Sequence, residues 1–200
     1  MMRLWIAIAI MLMLVAGVVA QVTVKGDARA WQEVGAAYDK LAKLKTYRTK
    51  MTVEGQSVSM VTEYLNPDRS RTVMKTEGVT METVKVGNEV RYRMTAPGAP
   101  ATWQCTAPPQ GTQTPTDPKS AKGEVTVSRL GDVTIEGTKT AGYEYAWSVQ
   151  GKMMKQRFYV AVGDGLPRRL VMLDAAGKPQ TTFEYYDFNA PITIELAKCG

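Results

Sequence analysis

The 200-residue sequence contains no histidine. That absence excludes histidine-based general acid–base catalysis, the Ser-His-Asp and Cys-His nucleophile arrangements, and every histidine-ligated metal site. Cysteine is nearly absent too, with only Cys105 and Cys199. There is no glycine-rich phosphate loop, no metal-ligand spacing and no aromatic-plus-basic nucleic-acid motif. Glu54, Glu63, Glu82 and Glu184 fall mostly on the polar phase of predicted strands and form no acid/base pair, so they read as solvated faces. No catalytic residue, metal or cofactor is assigned. A binding protein is expected by elimination, and an enzyme survives only for reactions needing neither histidine nor free thiol.

Long apolar runs are also missing, except at the start. Met1–Met2–Arg3 is a short positive segment, Leu4 to Val15 is uninterrupted and apolar, and Ala16 to Ala20 is small and apolar, with Val18 and Ala20 at the positions a signal peptidase reads. This pattern predicts a signal peptide over residues 1–20, cut after Ala20; an uncleaved N-terminal anchor is the alternative. Gln21 stands where a lipoprotein would carry its acylated cysteine, so a soluble periplasmic or secreted protein is expected, touching membrane peripherally at most. Loss of Arg3 with the leader leaves 24 basic against 19 acidic residues, a formal charge of +5 that is only mildly basic. The 180 remaining residues suffice for one domain, 21–200, with a single core. In an oxidising compartment Cys105 and Cys199 predict a structural disulfide, the alternative being unpaired core thiols.

Apolar residues at Trp31, Val34, Tyr38, Leu41 and Leu44 recur at helical spacing from an Asp27 N-cap, predicting an amphipathic helix of about 18 residues. At Tyr47 the period changes to two. Tyr47, Thr49, Met51 and Val53 alternate with Arg48, Lys50, Thr52 and Glu54, and similar alternation follows at Val58–Tyr64, Val90–Met94, Tyr143–Val149, Phe158–Val162, Leu166–Met172 and Ile192–Leu196. Turn signals such as Glu54–Gly55–Gln56, Asn66–Pro67–Asp68 and Gly163–Asp164–Gly165 separate them. The fold class expected is α+β: a strongly curved antiparallel meander of ten or eleven strands, an unclosed half-barrel with the helix on its concave face. Ala107 to Gly123, with four prolines, is a bare linker or a lid.

Eight of the twelve methionines lie beyond the leader, nearly all in predicted strands. Strands ordinarily prefer Val and Ile, while methionine adapts to irregular shapes, so the bias suits a pocket for flexible acyl chains; gap-filling beneath the helix is the alternative. The pairs Arg69/Arg71, Arg91/Arg93 and Arg168/Arg169 could meet phosphate or lipid headgroups, or form ordinary surface ion pairs.

The order of these features resembles the bacterial lipoprotein carriers of the LolA/LolB type. The helix Ala30–Leu44 running into Tyr47–Glu54, then Asn66-Pro67-Asp68-Arg69-Ser70-Arg71, Val84 to Tyr92, Gly165-Leu166-Pro167-Arg168-Arg169-Leu170, Asp174-Ala175-Ala176-Gly177 and Tyr185 to Ile192 carry the likeness. It implies an unclosed barrel with a helical lid over an apolar cavity for acyl chains. Pro67 and Arg71 match the family pattern, whereas Asn66 stands where strict carriers place a lid-latching arginine.

The resulting expectation is a monomeric carrier of the acyl chains of a lipid or lipoprotein. Its cavity would be lined by Trp31, Tyr38, Leu41, Tyr47, Met51, Met60, Met74, Met94, Trp147 and Phe158, with Arg69, Arg71, Arg91 and Arg93 at the rim. The alternative is an interaction or sensor module with a filled core and an envelope protein as partner. No nucleic acid is expected.

Overall fold

The computed structural model describes residues 22–105, 123–149 and 152–199. The expected leader and nearly all of the 107–123 segment lie outside them.

A short strand, β1 (Thr23–Gly26), leads directly into α1 (Ala28–Lys43). The Asp27 carboxylate accepts a hydrogen bond from the Ala30 amide at 2.9 Å, satisfying one of the donors a helix start leaves unpaired. Lys40 and Lys43 in the last turn suit the negative end of the helix dipole. The helix buries Ala30, Val34, Ala37 and Leu41, with Trp31 and Tyr38 flanking that stripe. Gly26 joins strand to helix at φ +88°; a Cβ there would collide with the Val127 carbonyl, so only glycine lets β1 approach so closely.

Ten further strands follow: β2 (Thr46–Val53), β3 (Ser59–Leu65), β4 (Arg69–Thr76), β5 (Val79–Val86), β6 (Glu89–Thr95), β7 (Glu124–Ile135), β8 (Thr138–Val149), β9 (Lys152–Ala161), β10 (Pro167–Leu173) and β11 (Pro179–Tyr186). All eleven form one sheet in the order β1-β7-β8-β9-β10-β11-β2-β3-β4-β5-β6. The sheet is curved and unclosed, as the alternation predicts. Its pairing is antiparallel except between β1 and β7, which run parallel, so the sheet is mixed and not a pure meander.

Ile192–Leu196 is not a strand. This segment crosses the face of the sheet opposite α1 as extended chain, where Arg69 Nη1 donates to the Ile194 carbonyl at 3.3 Å, Arg91 Nη1 donates to the Ala197 carbonyl, and the Ile194 side chain is buried. Its alternation reflects one side packed on the sheet without ladder pairing. Cys105 and Cys199 are disulfide-bonded, with Cα atoms 6.0 Å apart, fastening the chain end beside β6.

Candidate functional site

Successive side chains on a strand point to opposite faces, so the register sorts the expected site residues. Phe183 and Tyr185 lie in the core beneath α1 and pair with Met51 and Thr49. The helix-bearing face of β2 therefore carries Tyr47, Thr49, Met51 and Val53. From Met51 the register runs to Met60, Met74, Met81 and Met94 on four successive strands. One residue pair along, a parallel row reads Thr49, Thr62, Thr72, Thr83 and Tyr92. In the third row Tyr47 stacks on Tyr64 at 4.4 Å, and burial pushes both phenols up from their ordinary pKa. The Thr62 and Thr72 hydroxyls hydrogen-bond each other at 3.1 Å.

Helix α1 packs on β1, β7, β9 and β10. There the face is filled. Tyr38 stacks on Phe158 at 4.9 Å, Trp31 meets Tyr145 edge-on at 6.1 Å, and Tyr145 stacks on Trp147 at 5.5 Å. Phe158, Leu170, Val34, Val125 and Tyr145 are fully buried. Five of the expected cavity residues, Trp31, Tyr38, Leu41, Trp147 and Phe158, thus pack against one another or their neighbours. The other five, Tyr47, Met51, Met60, Met74 and Met94, sit on the part of the same face carried by β2–β6. Met81 belongs with them; its register position, not its periodicity, reveals it. Along that row Met60 is buried, Met51, Met74 and Met81 are half-buried, and Met94 is 51% exposed.

The four rim arginines are placed differently from the expectation. Arg69, Arg71, Arg91 and Arg93 all project from the opposite face, because each occupies the alternate phase to the methionine and threonine rows. Arg71 and Arg93 clamp Glu82, with nitrogen–oxygen distances of 2.6 Å to each carboxylate oxygen, and Arg93 also lies over the Trp103 ring at 4.8 Å. Arg91 pairs with Glu89 at 3.0 Å. Glu82 is only 7% exposed, so it is a buried ion-pair centre and not the solvated residue its phase suggests. These charges are consumed in holding the back of the sheet.

Asn66 has a definite role. Its Nδ2 donates to the Leu44 carbonyl at 2.8 Å and lies 3.5 Å from the Leu41 and Ala42 carbonyls, satisfying acceptors that the helix end leaves open. Where carriers are expected to hold a latching arginine, this chain fixes the helix C-terminus with a neutral amide.

A cleft of about 570 Å³ also opens on the face opposite α1, floored by the Arg169–Glu184–Lys50 row and walled by Ile135, Tyr186 and Phe188. Arg168 lies over the Phe188 ring at 4.8 Å. Sequence periodicity gives no sign of this cleft, because the β7–β8 turn that walls it reaches it only through the folded sheet. Among the described residues no cluster of His, Cys, Asp or Glu could hold a metal ion, and no helix is long and apolar enough to cross a membrane.

The fold and this division of its faces can be set beside known structures. The lipoprotein LppX of Mycobacterium tuberculosis superposes with a TM-score of 0.62 at 14% identity, covering 85% of this chain and all of that one. The two share a fold. MucB superposes at 0.51 and 12% identity over 82% of this chain, which spans 58% of MucB. No protein-family model and no curated protein matches the sequence. At such identities the likeness concerns the fold alone.

Proposed function

We propose that the protein is a non-catalytic carrier, exported by a leader over residues 1–20, that holds the acyl chains of a lipid or lipoprotein on the helix-side face of β2–β6, where Lys85 is the one charged residue. The observation that carries this reading is the methionine row beside the helix-covered core. Five strands at a spacing of 4.7–4.9 Å make an apolar track about 19 Å long, the scale of a long-chain acyl group. Covering an acyl chain there contributes about 0.8 kcal/mol per buried CH₂, so partial enclosure gives useful affinity without polar contacts. Methionine follows a flexible ligand better than branched residues do.

Native mass spectrometry with lipid extraction, on protein purified gently from its own envelope, tests this. Stoichiometric acylated cargo is expected, and Met94→Glu, at the exposed end of the track, weakens uptake of a fluorescent fatty acid while leaving the circular dichroism unchanged. Bare polypeptide that also ignores the probe would overturn the carrier reading.

The interaction-module reading draws on a separate observation, the cleft on the opposite face. Asp187 lines it with a left-handed backbone, φ 53°, a conformation that collects at functional positions. Crosslinking to an envelope protein through Lys50, lost on Phe188→Ala, would favour that reading.

A further inference from the structure

We propose that the methionine row is also a binding site for a soft monovalent cation, copper(I), held by the thioether sulfurs of three neighbouring strands. Met51, Met60, Met74, Met81 and Met94 are consecutive register partners. Directly opposed residues on adjacent strands have Cβ atoms about 4.5–5.5 Å apart, and the unbranched methionine side chain can swing its sulfur along or across the row. Sulfurs of three adjacent strands can therefore converge on one ion.

The choice of residue is the second argument. An apolar strand face is made equally well by Val and Ile, which have the higher strand propensity. The same strands use Val61 and Val73 on their other face, and the next row is threonine on β2–β5 and Tyr92 on β6. Five methionines confined to one row are demanded neither by strand formation nor by apolarity. What the row has that Val or Leu would lack is thioether sulfur, a soft donor that selects copper(I) over hard cations.

The charge distribution agrees. Of the basic residues on β2–β6, Arg48, Lys50, Arg69, Arg71, Lys75, Arg91 and Arg93 lie on the phase facing away from the row. Only Lys85 shares its face, two rows distant, in register with Ser70. A cation approaching the row meets no ammonium or guanidinium beside it. Exposed Met94 gives an entrance from the sheet edge, and buried Met60 gives a dry seat.

The test is anaerobic competition for copper(I) against a chromophoric chelator, with ascorbate as reductant so that the disulfide stays intact. The protein is expected to withdraw one equivalent. Met60→Leu/Met74→Leu, which keeps the face apolar, should weaken binding by at least about tenfold, the scale on which metal sites respond to loss of support. Met153→Leu, at an exposed position on the other face, should bind as the unaltered protein does. X-ray absorption at the copper edge should show a sulfur-only shell. Copper left on the chelator, unchanged affinity in the double variant, or a nitrogen/oxygen shell would each overturn the proposal. Uptake of a fluorescent fatty acid separates the two readings: a double variant that keeps uptake but loses copper leaves the acyl reading standing, and unaltered protein that binds copper but takes up no fatty acid leaves this one.

Discussion

One face of one sheet is built in two ways. Under α1, the face of β7–β10 is closed by aromatic stacking among Tyr38, Phe158, Trp31, Tyr145 and Trp147, and its central side chains have no access to solvent. On β3–β6 the same face carries methionine and threonine rows that α1 does not pack upon, graded from buried Met60 to half-exposed Met94. The order of strands explains the contrast. Because β11 pairs with β2, the N-terminal meander β2–β6 is attached beside the helix-covered half and extends beyond it. On the proposed carrier reading, stability and ligand contact fall on different strands, so substitutions in one half should act on folding and in the other on binding.

The largest effect expected concerns what holds the methionine half from behind. The disulfide closes a loop of sequence separation 94, so Cys105→Ser/Cys199→Ser should cost about 4–5 kcal/mol in the chain-entropy model. Hydrogen exchange should show the loss first in β4–β6, where Arg69 and Arg91 hold the chain end; uniform loosening would mean the two halves are not separable. Next, Phe158→Ala should cost about 3–5 kcal/mol as a cavity under the helix, whereas Met74→Ala, already half-open, should cost less than the roughly 2–5 kcal/mol of a fully buried methionine. Urea unfolding of both variants decides this, and equal costs would break the comparison.

This division was only half legible in the chain. The helix, its Asp27 cap and the change of period at Tyr47 are local signals, and they place α1 and β2 correctly. Phase within a strand is local as well, which is why Tyr47, Met51 and Met60 fall on one face. Which strands neighbour one another is not local. That Met81 completes the row, and that α1 lies over β9 and β10 and not over β4, follows from the β11–β2 pairing across more than a hundred residues. The arginine pairs read as a rim because sequence shows their charge but not their partners; Glu82, which two of them clamp, is polar in phase and buried in fact. Ile192–Leu196 misleads for the opposite reason, since chain lying against a sheet shows the same alternation as chain paired within it.

A smaller effect is expected at the joint between the halves. Asn66, at the β3–β4 turn of the methionine half, donates to the end of the helix that covers the other half. Asn66→Ala removes that donor and leaves the Leu44 carbonyl to water, a loss of about 1 kcal/mol. If the amide couples the halves, amide exchange in the last turn of α1 should accelerate while β8 and β9 keep their protection. Unchanged exchange at Ala42 and Lys43 would show that the helix is held by its buried stripe alone.

The smallest effect at neutral pH is also the sharpest report on how dry the helix-covered half is. The Tyr143 phenol, buried on β8, donates to Glu33 Oε2 of the helix at 2.7 Å. Burial first, and then the Glu33 carboxylate, pushes its pKa up to about 12, against a smaller opposing pull from Arg129. Because the folded value lies above the unfolded value near 10, the stabilisation linked to this group is complete below pH 10 and is lost as pH rises through 12. Subtracting the ultraviolet titration of Tyr143→Phe from that of the unaltered protein isolates this residue and should give a midpoint near 12. Glu33→Gln removes the charge but not the burial, so the midpoint should fall only part of the way towards 10. A return to 10 would mean that the carboxylate alone sets the shift and that water reaches β8 beneath the helix, which would make the two halves of the face alike.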